Sequence, residues 1–179
     1  KRDCLGGECT SEKCQPLALA KLTTPRAIAF DGAQLYWTSY ALAPTTALTQ
    51  VLRCKVDECL KTVTVVGEGP YRSRAITVDA DNVYWTTREP PGSIQVADPQ
   101  TGKSEVLYTR CGDREFRHCN DIVFNADGSF WFTDTGRAGG RTTENGSVFW
   151  AKADGSEVRE VAFPLIAPNG VGLSPDGKT

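Results

Sequence analysis

A β-propeller, an all-β ring of four-stranded blades, is the fold class that this 179-residue chain predicts, on three observations. A strand–turn–strand unit recurs at a steady spacing. A second hairpin pattern follows in each complete unit. No stretch carries the 3.6-residue apolar period of an amphipathic helix. The units open at Arg26, Arg74, Asn120 and Asn169, which are 48, 46 and 49 residues apart. Four strands in that length is the blade period. A two-sheet sandwich also has short, evenly spaced strands, but it gives no reason for an internal repeat.

The elements follow in order. Residues 1–16, KRDCLGGECTSEKCQP, lack strand alternation, so a Cys/Gly-rich disulfide linker is expected ahead of a propeller segment at 17–179. The first unit is RAIAFD at 26–31, a turn, then LYWT at 35–38. The second is RAITVD at 74–79, a turn of equal length, then VYWT at 83–86. The third is NDIVFN at 120–125 and FWFT at 130–133, and the fourth opens with NGVGLS at 169–174. The turns between them carry Asp, Asn, Gly and Pro, as hairpins require, and the strands carry β-branched and aromatic residues that suit a pleated surface. Second hairpins are read at GSI (92–94) with EVL (105–107), and at GSV (146–148) with EV (157–158). This gives three full blades and the start of a fourth. The fourth unit stops after its turn, leaving an unpaired edge and an uncovered blade face. The propeller segment is therefore expected to be incomplete at its C-terminus, with remaining blades or a second copy closing the ring.

Composition narrows the function classes. A net charge of −2 and the lack of a basic cluster argue against nucleic acid as a partner. The longest apolar run, 161–167, is broken by Pro164 and is too short for a membrane span. Seven cysteines point to an oxidising compartment, extracellular, periplasmic or at the cell surface. Cys54 and Cys59 are placed to staple a hairpin, and Cys111 and Cys119 to close the loop ahead of a strand. Cys4, Cys9 and Cys14 form an odd group whose pairing stays open. One histidine and no Cys-x-x-Cys pair disfavour zinc. Residues 172–179, GLSPDGKT, fit a phosphate-loop pattern, but SPDG repeats the hairpin turn NADG of 125–128, so no nucleotide site is expected.

From residue 118 onward the sequence becomes more specific. NDIVFNADGSFWFTD (120–134), GSVFWAKADG (146–155) and APNGVGLSPDG (167–177) resemble, in order, signatures of the senescence-marker-protein/gluconolactonase family. The N-terminal half is similar, more loosely, to exported bacterial propellers with Tyr-Trp-Thr repeats. The first resemblance implies a six-bladed propeller and a calcium-dependent hydrolase of lactone-type esters acting on a small molecule. It also implies Ca2+ at the mouth of the central tunnel, with Asn120 and Asn169 at two of the family's ligand positions. The repeat agrees with this placement: each asparagine lies two residues before the apolar residue of its inner strand, as Arg26 and Arg74 do. Amide oxygens are suitable hard ligands for calcium.

The family's glutamate ligand falls by blade order on Arg26, a cation, while Glu68 in the Glu-Gly-Pro segment 68–70 is out of register. Asn120 with His118 is the catalytic candidate set, the imidazole acting as a base on water. The alternative for the two asparagines is turn satisfaction. Asp134 either supports the site or begins a turn. Arg26 and Arg74 either meet an anionic substrate or pair with Asp31 and Asp79. The recurring Tyr-Trp pairs are read as packing between blades. The alternative function is a non-catalytic exported propeller serving as a binding or structural module.

Overall fold

The computed structural model describes residues 9–10, 13–14, 24–42, 47–89, 91–136, 138–139 and 142–177. In sequence, a ribbon of β1 (Cys9–Thr10) and β2 (Lys13–Cys14) comes first. Blade 1 comprises β3 (Pro25–Phe30), β4 (Gln34–Leu42), β5 (Ala47–Lys55) and β6 (Thr64–Pro70), with a helical turn α1 (Cys59–Thr62) between the last two. Blade 2 comprises β7 (Ser73–Val78), β8 (Val83–Thr87), β9 (Ser93–Ala97) and β10 (Ser104–Tyr108). A ribbon of β11 (Arg110–Cys111) and β12 (Arg114–Glu115) leads to β13 (Cys119–Phe124) and β14 (Ser129–Asp134). The ribbon β15 (Ala138–Gly139) and β16 (Thr142–Thr143) precedes β17 (Gly146–Lys152) and β18 (Val158–Leu165), which complete blade 3. Each blade is an antiparallel meander of four strands. Successive first strands pack together, β3 on β7 and β7 on β13, and so line the axis. This is the predicted β-propeller, with three blades and the opening of a fourth.

The repeated hairpin has a side-chain logic. Asp31 Oδ1 accepts the N–H groups of Ala33 and Gln34, and Asp79 Oδ1 accepts those of Asp81 and Asn82. The second residue of the following LYWT, VYWT or FWFT segment then returns to the same turn. Tyr36 donates its hydroxyl to Asp31, Tyr84 to Asp79, and Trp131 donates Nε1–H to Asn125. The turn carboxylates are thereby occupied, and neither Asp31 nor Asp79 makes the ion pair that was one of the two alternatives for Arg26 and Arg74. In the third turn Asp127 accepts the hydroxyl and N–H of Ser129.

The third residue of that segment packs the blades, as expected. Trp85 is fully buried between blades 1 and 2 with Tyr36, Val51, Val66 and Ile76. It comes so close to β6 that a Cβ at Gly69 would lie 3.2 Å from its ring, and one at Gly67 only 2.9 Å from Ala97. Between blades 2 and 3, Phe132 stacks on Phe149 at 5.0 Å and meets Phe116 edge-on at 5.1 Å. Such buried rings are each worth about 3–5 kcal/mol against alanine.

Two cysteine expectations need correction. Cys54 and Cys59 are bonded, but they join the end of β5 to α1 rather than stapling a hairpin. Cys111 and Cys119 are free thiols. Their loop is closed by backbone pairing of β11 with β12 and by Phe116 N–H donating to Thr109, while the Cys111 thiol points at the Val158 carbonyl. The linker expected at 1–16, with the pairing of Cys4, Cys9 and Cys14, lies outside the described residues apart from the β1–β2 backbone.

Candidate active site

All three inner strands are irregular at the same place. The pairing of β3 with β4 shifts between Pro25 and Ile28, that of β7 with β8 between Ser73 and Ile76, and that of β13 with β14 between Cys119 and Ile122. Arg26, Arg74 and Asn120 sit in these bulges. A bulge breaks the in/out alternation and re-aims a side chain. Here it turns the opening residue of each unit to one end of the axis.

A threonine from the next strand repairs each of the two later bulges. Thr86 accepts the N–H of Ala75 and donates to the carbonyl of Asn120 at 2.6 Å. Thr133 accepts the N–H of Asp121 and donates to the carbonyl of Asn169 at 3.2 Å. One hydroxyl thus satisfies its own blade's bulge and grips the axial residue of the next blade. Asp121 adds a second link, its carboxylate accepting the N–H of Val171 at 2.9 Å. The fourth unit carries no strand pairing among the described residues, yet these bonds seat it on the axis. The amides of Asn120 and Asn169 meet there, Asn120 Nδ2 donating to Asn169 Oδ1.

His118 faces the same mouth, and its main chain is clamped from both sides. Asp134, fully buried, accepts the N–H of Arg117, His118 and Gly136 at 2.8, 2.9 and 2.9 Å. The His118 carbonyl accepts the Thr135 N–H at 3.0 Å. Asp134 therefore serves both the turn and the site. Cys119 is fully buried, which pushes its thiol well up, and the charge of Asp134 adds to the effect.

Two cavities open at this end. One, of about 290 Å³, is lined by Asn120, Asn169, His118, Arg74 and Arg88. Beside it, one of about 310 Å³ is lined by Arg26, Arg72, Arg74, Arg88, Glu89, Tyr40 and His118. The structure thus brings together Asn120, Asn169 and His118, with Arg26 and Arg74 alongside. Glu68 is elsewhere, on outer strand β6, where it accepts the Gln50 amide at 2.9 Å. The sequence reading missed Arg72, Arg88 and Tyr40. Tyr40, Arg88 and Thr135 each lie two residues after the repeated threonine, so the offset that located the asparagines could have located them.

The mouth does not fit calcium on the described residues alone. Calcium takes six to eight oxygens, usually with carboxylates among them. Here two neutral amides meet, and beside them stand four arginines and one carboxylate, Glu89, which is engaged with Arg72. Among the described residues no group of three His, Cys, Asp or Glu side chains could hold a metal.

An antiparallel-bladed propeller with a polar mouth built from the bulges of its inner strands is the class that fold and site define. The chain belongs to the SMP-30/gluconolactonase/LRE-like family, whose sequence profile matches residues 34–179. That family is generally metal-dependent. No curated protein sequence matches the chain. Among solved structures it is similar to a gluconolactonase from Xanthomonas campestris (24% identity, TM-score 0.65, covering 88% of this chain and 53% of the other). It is also similar to the extracellular domain of a hybrid two-component system of B. thetaiotaomicron (14%, TM-score 0.63, 93% and 20%). A third, named as a candidate gluconolactonase, shares 16% identity at a TM-score of 0.53, covering 86% and 63%. These likenesses show the fold. The chain spans about half the length of the Xanthomonas protein.

Proposed function

We propose that the protein is a lactonase-like hydrolase acting on a small molecule at the propeller mouth. The observation that carries this reading is the meeting of Asn120 and Asn169 across two blades beside His118, in a chain of the gluconolactonase family. In this reading the lactone carbonyl points at the two amides. His118 takes a proton from water as the water oxygen bonds to the acyl carbon. The amide N–H groups and the neighbouring Arg74 stabilise the oxyanion that forms. The acyl C–O bond then breaks, the leaving alkoxide takes the proton back from His118, and a hydroxy acid departs.

Hydrolysis of D-glucono-1,5-lactone in a pH-stat, corrected for spontaneous ring opening, tests it. Asn169→Ala is expected to lower kcat by about a hundredfold, the scale of one lost oxyanion donor. Unchanged turnover with the fold intact would instead favour a non-catalytic binding module.

Calcium enters this reading only with carboxylates from beyond the described residues, joining the amide oxygens of Asn120 and Asn169. Melting with calcium against chelator decides it. An ion bound only by the folded state raises stability by about 2.7 kcal/mol at a hundredfold excess over its Kd. A flat response removes it from the mechanism. The reading also places the protein outside the cytoplasm, supported by the Cys54–Cys59 disulfide. No described helix is long and apolar enough to cross a membrane. Completion of the ring by further chain or a second copy would cover the apolar residues exposed on blade 1.

A further inference from the structure

The mouth has two unlike halves. Asn120 and Asn169 form one. The other is a cavity of about 310 Å³ lined by Arg26, Arg72, Arg74 and Arg88. Its one carboxylate, Glu89, is already engaged: it accepts the Arg72 N–H at 2.8 Å and lies 3.9 Å from that guanidinium. Among the described residues, Arg26, Arg74 and Arg88 make no ion pair. Several arginines elsewhere do pair with acids: Arg110 with Glu115, Arg114 with Glu160, Arg117 with Glu144, and Arg159 with Glu157. Three guanidiniums without an ion pair among the described residues thus share one cavity, in a protein whose net charge is −2.

The arrangement is also built rather than scattered. Arg26 and Arg74 project from equivalent bulges. The Tyr40 ring braces two guanidiniums, Arg26 at 4.9 Å and Arg72 at 5.7 Å from its centroid. Arg74, Arg88 and His118 line both cavities, so a ligand can span them. Guanidinium forks match carboxylate and phosphate oxygens, and a cleft with an excess of positive charge raises the local concentration of such a ligand.

We infer that the mouth takes an anionic substrate, a small lactone carrying a carboxylate or phosphate, whose charged group rests on Arg26, Arg72, Arg74 and Arg88 while its ring ester lies toward Asn120 and Asn169. The inference rests on the hydrolase reading for the ester, but the anion site stands on its own. It also accounts for Arg26 at an axial position where the family resemblance calls for glutamate.

Calorimetry on the intact protein tests it with three probes: glucarate, inorganic phosphate and the neutral polyol glucitol. Binding is expected for at least one anion and not for glucitol, and it should weaken as sodium chloride is added. Arg74→Gln/Arg88→Gln should weaken it at least about tenfold, the scale of lost charge-assisted hydrogen bonds, and Arg26→Gln/Arg72→Gln provides an independent second pair. The stronger of the two anions identifies the charged group. Absence of anion binding overturns the proposal, as does binding that both double variants leave unchanged. If anions bind as described but neither gluconolactone nor its carboxylate-bearing analogue glucaro-1,4-lactone is hydrolysed, the hydrolase reading fails and the anion site stands. If both lactones are hydrolysed with equal kcat/KM and the arginine variants do not alter that ratio, the hydrolase reading stands and the anionic-substrate inference fails.

Discussion

Threonine does different things at one repeat position. Thr86 and Thr133 each accept a bulge N–H and donate to the next blade's axial carbonyl. Thr38, equally buried in blade 1, has a hydroxyl with no hydrogen-bond partner. Valine is nearly isosteric, so the pair makes a controlled test. Thr133→Val should cost about 1–3 kcal/mol, because the Asp121 N–H and the Asn169 carbonyl lose their partner. It should also lower activity by releasing Asn169. Thr38→Val should be neutral or slightly stabilising, because an unpaired buried hydroxyl is removed. Denaturant melts of both check this, and equal costs would contradict the latch. The threonine itself was visible in the repeat, but its role was not, because sequence pattern does not show the bulges that free the N–H groups. Asn120 and Asn169 were legible because a repeat offset is also a position relative to the axis.

At the level of elements, the hairpin turns carry pH dependence. Asp127 is held below the usual carboxylate range, first by the Ser129 hydroxyl and then by the Ser129 N–H. A carboxyl whose folded pKa is depressed stabilises the fold above its unfolded value and loses that contribution as pH falls through the folded one. Thermal melts of the native protein and Asp127→Ala should therefore differ at about pH 6 and draw together as the pH falls below the usual carboxylate range. A gap independent of pH would contradict this. Close packing sets a second constraint: a Cβ at Gly146 would lie 2.3 Å from the Asp134 carbonyl and 2.5 Å from Pro168 Cδ. Gly146→Ala should cost about 3 kcal/mol and disturb the end of β14 that anchors His118. Calorimetric unfolding reads the cost. The turns and strands were written in composition and period. The helical turn α1 was not, since four residues are too few for a period and a disulfide helps hold them. The thiols of Cys111 and Cys119 were misread for a related reason: proximity in sequence does not reveal that backbone pairing already closes their loop.

Across the molecule, one repeat position reports how the blades cover each other. Ile76 and Ile122 are 8% and 6% exposed, whereas their equivalent Ile28 is 68% exposed, with Phe30 beside it at 54%. Ile76→Ala should cost about 2–4 kcal/mol. Ile28→Ala should cost well under half of that, and denaturant melts of the two variants check the difference. The overall architecture was legible because each blade repeats its pattern. The composition of the mouth was only half legible: the asparagines and two arginines lay at known offsets, while Arg72, Arg88 and Tyr40 join them through strand ends that the repeat was not used to read.

The central claim is that chemistry happens at this mouth, with the asparagine half facing the ester. A crystal structure of the protein soaked in glucarate, a stable hydrolysis-product analogue, tests it most directly. The account predicts the ligand across the two cavities, one carboxylate on Arg74 and Arg88 and the other within hydrogen-bond distance of Asn120, Asn169 or His118. Glucarate bound only elsewhere, such as in the cleft lined by Trp131, Val171 and Leu173, or a mouth left empty at saturating ligand, would contradict it.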